Sequence, residues 1–148
     1  MIANYWPHLL AMLVGGGLTV QVGMNSTLAR AIGSPLWAAV VNFSIGLVAL
    51  IGIAVVAGSR ASTDTLGQVP TWAWVGGVLG AGYVASMTVV GPRLGGMTMV
   101  ALVLAGQLTA ALVVDRFGIL GYPQVAVTPT RLLGAVLLLA GALLVARR

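Results

Sequence analysis

Five long apolar stretches, separated by short segments that hold almost all of the charge, constrain this chain more than any other feature. An α-helix needs about 20 predominantly apolar residues to cross the hydrocarbon core of a bilayer. The stretches cover residues 7–29, 35–57, 70–90, 97–114 and 129–146, and Arg131 is the one charged residue within them. The sequence therefore predicts an all-α integral membrane bundle of five transmembrane helices, forming a single domain over residues 1–148.

The composition argues against a soluble protein, and the motifs argue against an enzyme. Of the 148 residues, 6% are charged and 59% are hydrophobic, whereas a soluble domain carries about 25% charged residues. The net charge is +5, but the arginines are isolated except for the last pair and form no patch for nucleic acid. No phosphate-binding loop, metal-ligand cluster or nucleophile–base pair is visible. We therefore expect no enzymatic activity, no cofactor and no metal.

Caps, prolines, glycines and charges predict where the helices begin and end. Ser34-Pro35 and Thr128-Pro129 each combine a cap residue with proline at the first helical position. We expect Arg30 to close the first helix, with Gly33 as a stop signal. Gly91-Pro92-Arg93 predicts a break after the third helix, and Asp115-Arg116 predicts the end of the fourth.

The arginines are shared almost evenly between the two sides of the membrane. Five crossings put the termini on opposite sides. The N-terminal side carries Arg60, Arg116 and Arg131, and the other side carries Arg30, Arg93, Arg147 and Arg148. Cytoplasmic loops normally hold a clear excess of basic residues. One interpretation is that the terminal pair fixes one orientation weakly. The other, which we favour, is dual topology, in which the chain inserts both ways up and pairs as an antiparallel homodimer.

Four amide side chains lie within the predicted spans. Gln21 and Asn25 are four residues apart and so share one face of the first helix. Asn42 lies in the second span and Gln107 in the fourth. Polar groups in a bilayer are costly and commonly mark a functional path, although hydrogen bonds between neighbouring helices are the alternative role. We predict that these four residues bind the substrate.

Three charged residues at the ends of spans are predicted to form a gate or an interface. Arg93 would attract an anionic group, and Asp115 would be a protonatable coupling group. The alternative for Arg93, Asp115 and Arg116 is a structural role as caps, membrane anchors or partners in salt bridges between subunits. The middle of each predicted span holds no carboxylate. A cation exporter that exchanges protons for substrate on a buried glutamate is therefore not expected.

A set of short motifs follows in order along nearly the whole chain. The motifs are Gln21-x-x-x-Asn25-x-x-Leu28, Gly91-Pro92-Arg93-Leu94-Gly95, Gly106-Gln107-Leu108, Asp115-Arg116-Phe117-Gly118 and Arg131-x-x-Gly134. Together they resemble the YdcZ family, a five-helix branch of the drug/metabolite transporter superfamily that is related to small multidrug resistance and EamA-like proteins. The resemblance implies a multi-pass protein of the bacterial inner membrane that is half of an inverted-repeat transporter. The family commonly has histidine after the aspartate, where this chain has Arg116, so a proton role for that histidine is not carried over.

The sequence as a whole predicts a membrane transporter that exports a small solute by alternating access. Transporters commonly place their site where two inverted repeats meet, and two antiparallel copies of this chain would supply both repeats. The expected partners are therefore a second copy, the lipid bilayer and a small-molecule solute, without nucleic acid. The alternatives are a non-transporting subunit or regulator of another complex, and a passive channel.

Overall fold

Each apolar stretch forms one long α-helix in the computed structural model, which describes residues 5–60, 62–64 and 66–147. The helices are α1 (Trp6–Ile32), α2 (Pro35–Val56), α3 (Thr71–Leu94), α4 (Gly96–Phe117) and α5 (Pro129–Ala146). All five are long and apolar enough to cross a membrane. The predicted all-α membrane fold is thus confirmed. Arg148, which the sequence groups with the arginines of one side, lies outside the described residues.

Glycines and cap residues, more than charged residues, determine where the helices end. The end predicted near residue 29 is wrong, because α1 continues through Arg30 to Ile32 and is ended by Gly33 at a φ of 74°. The end predicted near residue 114 is wrong for the same reason, since α4 continues to Phe117 and is ended by Gly118. Arginine has a high helix propensity, so a charge at the membrane edge need not stop a helix.

The two predicted cap-and-proline starts are confirmed. The side chain of Ser34 accepts a hydrogen bond from the backbone N–H of Trp37 at 3.3 Å, which caps α2. Thr128 accepts one from the backbone N–H of Arg131 at 3.3 Å, which caps α5. The predicted break at Gly91-Pro92-Arg93 is wrong, because α3 continues through Pro92 to Leu94. Pro92 lies in the last turn, where the one hydrogen bond that it removes does not interrupt a longer helix.

The chain divides into two compact units. The first unit holds α1 to α3 and ends at Arg93, and the second unit holds α4 and α5 and begins at Leu94. In the first unit α1 packs against α2, and in the second α4 packs against α5. The buried residues on the five helices are mostly small, and small residues let helix backbones approach closely in lipid. They are Asn25, Ser26, Ala29, Ala38, Ala39, Thr88, Gly91, Met99, Ala135 and Ala142.

Most of the apolar surface of the described helices is not covered by protein. Between 6% and 11% of the most apolar window of each helix is buried. Large side chains such as Leu13, Val48 and Val78 are more than two-thirds exposed. Surface of this kind requires an apolar environment, which a bilayer or a second protein chain supplies.

The connection between α4 and α5 folds back on the end of α4. The backbone N–H of Val125 donates to the carbonyl oxygen of Asp115 at 2.8 Å. The side-chain amide of Gln124 donates to the carbonyl oxygen of Arg116 at 3.1 Å. The last carbonyls of a helix have no partners within it, so these two bonds satisfy groups that would otherwise need water.

Alanine at Gly118 is expected to destabilise the second unit. Gly118 has a φ of 59°, and a Cβ at this position would lie 2.9 Å from the Cβ of Gln124. The left-handed conformation alone costs a residue with a Cβ about 1–2 kcal/mol, and the close contact adds to that cost. Unfolding in detergent, followed by circular dichroism, should show a lower midpoint for Gly118→Ala. Gly52→Ala is the control, because a Cβ on Gly52 meets nothing within 4 Å; equal midpoints for the two variants would contradict the prediction.

Candidate functional site

Two of the four predicted amides lie on one cavity in the first unit. Gln21 from α1, Asn42 from α2 and Val84 from α3 line a space of about 460 Å³. The rest of the lining comes from α2 and is apolar. These residues are Phe43, Ile45, Gly46, Leu47, Ala49 and Leu50. The cavity therefore has apolar walls with two amides contributed by different helices, and we call it the amide cavity.

The amide cavity lies far from the ends of its helices. At 1.5 Å per residue, Gln21 is about 16 Å from Ile32, and Asn42 is about 10 Å from Pro35. The hydrocarbon core of a bilayer is about 30 Å thick. When the turn between α1 and α2 lies at a membrane edge, both amides lie toward the middle of the bilayer.

The side chains of Gln21 and Asn42 make no hydrogen bond to another protein group within the described residues. Both residues are half-buried. Within the described chain, these two amides therefore form no hydrogen bond between helices. Each amide keeps its two donors and its acceptor oxygen available to a solute or to water.

Asn25 lies one turn from Gln21, on the same face of α1, but does not line the amide cavity. It is 4% exposed, and its amide also makes no hydrogen bond within the described residues. Every fully buried side-chain nitrogen or oxygen in the described part of the chain has a hydrogen-bond partner. Because the Asn25 amide has none, its nitrogen and oxygen are not fully buried. Along α1, Asn25 lies between Gln21 and the turn to α2.

A hydrogen bond joins α1 to α3 beside Asn25. The hydroxyl of Ser26 donates to the backbone carbonyl oxygen of Thr88 at 3.1 Å, and both residues are buried. The helical donor to this carbonyl would be the N–H of residue 92, which is proline and has none. Ser26 therefore satisfies a carbonyl that Pro92 leaves without its usual partner. The same hydroxyl lies 2.7 Å from the carbonyl oxygen of Val22, so its one proton has two possible acceptors.

The contact between Ser26 and Thr88 was not predicted from the sequence. A proline near the end of a predicted span was the available signal, because the carbonyl four residues before it needs a donor from elsewhere. The signal does not identify the donor, which comes from a residue 62 positions away in the chain.

The stability effect of Ser26→Ala should depend on Pro92. In the wild-type chain the substitution leaves the buried carbonyl of Thr88 without its donor, which costs about 1 kcal/mol in measured series. In a Pro92→Ala background the new N–H at residue 92 can donate to that carbonyl, so the loss should be much smaller. A double-mutant cycle measured by unfolding in detergent tests this. Ser44→Ala is the control, since the Ser44 hydroxyl bonds within its own helix, to Val40; additive effects of Ser26→Ala and Pro92→Ala would refute the assignment.

A second cavity in the first unit has no amide. It has a volume of about 520 Å³ and shares Phe43 and Leu47 with the amide cavity. Its other lining residues are Leu36, Ala39, Val40, Ser44, Ala81 and Ala85. It offers apolar contact and one hydroxyl, so the amide cavity is the better candidate for selective binding.

The predicted residues of the second unit are Gln107, Asp115 and Arg116. Asp115 forms an ion pair with Arg131, in which Oδ2 lies 3.2 Å from a guanidinium nitrogen. The pair borders a cavity of about 300 Å³ between α4 and α5. Gln107 is exposed on α4 and does not line this cavity. Arg116 has an exposed side chain in the last turn of α4. In the first unit, Arg93 is exposed in the last turn of α3.

Comparison with known proteins supplies one match. The model of a family described as "Putative inner membrane exporter, YdcZ" matches residues 6–144, a range that begins with α1 and ends within the last turn of α5. No curated protein and no solved structure gives a significant match. The family match confirms the resemblance that the sequence motifs indicated.

Proposed function

The chain belongs to the YdcZ family of inner-membrane transporters, and from this premise we propose that it exports a small solute by alternating access. It is a multi-pass membrane protein with five membrane-crossing helices in its described part. The absence of enzymatic activity stays a prediction from the sequence.

The observation that carries the proposal is the amide cavity. Gln21 and Asn42 present unpaired amides in a cavity of about 460 Å³, and small-molecule sites typically combine apolar walls with a few polar groups in about 300–1,000 Å³. Amides kept without protein partners in a membrane are costly unless a ligand or water uses them. Binding a solute is a use that explains both their location and their lack of partners.

An antiparallel homodimer is the assembly that we propose. Transport sites commonly lie where two inverted repeats meet, and this chain has one set of five spans. The even distribution of arginines favours insertion in both orientations. The small residues of α3 support close approach by another helix, because a Cβ on Gly76 or Gly80 would meet nothing within 4 Å.

The remaining predicted residues have roles in this dimer. We propose that Asn25 and Gln107 extend the solute path when the second copy or a change of conformation brings them to it. Arg93, Asp115 and Arg116 are proposed to form a gate or an interface. The ion pair of Asp115 with Arg131 ties α4 to the first turn of α5 within one chain, and a gate or interface role would require Asp115 to exchange this partner.

Reconstitution in liposomes tests the proposed function. Purified protein should move at least one member of a broad solute panel at a rate that saturates with solute concentration. Flux that rises without saturation would support a passive channel instead. Absence of flux for every solute, with protein inserted in both orientations, would support a non-transporting subunit.

A further inference from the structure

We propose that the amide cavity selects uncharged solutes that both donate and accept hydrogen bonds and that carry apolar surface. This inference rests on the proposed function, because it names the class of solute that the same site takes. It is argued from the charge, the polar groups and the walls of the cavity.

The lining of the amide cavity contains no charged side chain. Along α1, the nearest charged residue to Gln21 is Arg30, about 13 Å away at 1.5 Å per residue. Along α3, Arg93 is at a similar distance from Val84. A charged solute in this cavity would lose its hydration without gaining an opposite charge, which is strongly unfavourable. Permanent cations and anions are therefore selected against.

The two amides match a neutral polar group. A side-chain amide offers two donors and one acceptor oxygen, and neither Gln21 nor Asn42 uses them within the described protein. A solute with an amide, alcohol or urea group can pair with both side chains. A solute without any such group would cover both half-buried amides and leave them unpaired, so hydrocarbons are selected against as well.

The walls select for apolar surface beside the polar group. Phe43, Leu47 and Leu50 line the cavity, and Val84 completes it from α3. Contact with these residues removes apolar solute surface from water, which is favourable in proportion to its area. Small, fully hydrophilic solutes gain little from such walls, so sugars and free amino acids fit less well than amphipathic neutral molecules.

Three probes with one carbon skeleton separate charge from shape. 3-Phenylpropanamide is neutral, 3-phenylpropanoate is an anion and 3-phenylpropan-1-amine is a cation at pH 7. Equilibrium binding to the full chain in lipid nanodiscs, corrected with empty nanodiscs for partitioning into lipid, gives a Kd for each. A matched set of alcohols, carboxylates and amines on a longer alkyl skeleton repeats the comparison. We expect the neutral member of each set to bind at least about tenfold more tightly than both charged members.

Substitution of the amides tests whether this selectivity comes from the cavity. Gln21→Leu and Asn42→Leu should each weaken binding of the neutral probe about tenfold, which is the effect of losing a polar contact. Gln68→Leu makes the same chemical change in the connection between α2 and α3, outside the cavity lining, and should leave the Kd unchanged. Size-exclusion profiles and unfolding midpoints establish that each variant is folded.

The outcomes separate the solute class from the proposed function. If a charged probe binds as tightly as the neutral one, and Gln21→Leu weakens that binding, the class is wrong while the site stands. If probes bind but neither leucine variant changes any Kd, both the class and the site are wrong. Failure of every neutral probe to bind the wild-type chain overturns the proposed class, while saturable flux of another solute in liposomes would still support transport.

Discussion

Leucine at both Gln21 and Asn42 is expected to reduce saturable transport at least about 100-fold while the chain stays folded and inserted. The two amides are the polar groups of a cavity whose other lining residues are apolar. Each lost contact to a buried polar group of the solute costs about 1–3 kcal/mol, and the two losses act on the same bound solute. Initial rates in proteoliposomes, normalised to the amount of inserted protein, give the measurement.

Conservative and distant substitutions serve as controls for this experiment. Asn42→Gln keeps an amide on α2 and should retain a measurable rate, although the longer side chain changes the fit. Gln68→Leu should transport at the wild-type rate, because Gln68 lies outside the cavity. The proposal fails if the double leucine variant keeps more than about a tenth of the wild-type rate.

Removal of Arg60 and Arg116 should convert a mixed population into one orientation with the C-terminus in the cytoplasm. Arg60 lies in the connection that follows α2, and Arg116 lies in the last turn of α4. Without them the predicted N-terminal side would hold Arg131 alone, already paired with Asp115. The opposite side would keep all of its arginines, and basic residues favour the cytoplasmic side. A C-terminal tag that is active in the cytoplasm and another that is active in the periplasm measure the two populations.

The opposite pair of substitutions gives the matched control. Arg30→Gln with Arg93→Gln leaves Arg147 and Arg148 against the three arginines of the N-terminal side, so it should shift the ratio of the two populations toward a periplasmic C-terminus. The wild-type chain should give signal with both tags. Signal with one tag only, or a ratio that neither double variant changes, would rule out dual topology.

Transport by mixtures of these variants tests the antiparallel dimer. Arg60→Gln/Arg116→Gln alone should be inactive, because its copies have the same orientation. Production of Arg60→Gln/Arg116→Gln together with Arg30→Gln/Arg93→Gln should restore transport, since the second variant supplies the opposite orientation. Full activity of Arg60→Gln/Arg116→Gln alone would exclude the antiparallel assembly.

The fold could be predicted because its main determinants are local. The length of each apolar stretch predicts a membrane-crossing helix. Ser34 and Thr128 cap α2 and α5, as their positions before proline indicated. The errors at the C-terminal ends of α1 and α4 have one cause. Both ends were predicted from a charged residue, Arg30 or Asp115, but each helix continues for two more residues, to a left-handed glycine at 33 or 118.

The candidate site could be predicted only in part because its determinants lie on different helices. The sequence identified Gln21 and Asn42 as polar residues in apolar spans, but it gave no reason to pair them with each other instead of with Gln107. The bond from Ser26 to Thr88 and the ion pair of Asp115 with Arg131 both depend on how helices pack. Spacing along one helix carries no information about such packing.

The position of Pro92 also affects how easily α1 and α3 can separate. Rotation of the Ser26 hydroxyl moves its proton from the Thr88 carbonyl to the Val22 carbonyl of its own helix, which lies 2.7 Å away. No hydrogen bond inside either helix is broken by that rotation, and water that enters the opening can satisfy the released carbonyl. Separation of the two helices at this contact therefore requires rotation about one side-chain torsion angle, and no turn of helix has to unwind.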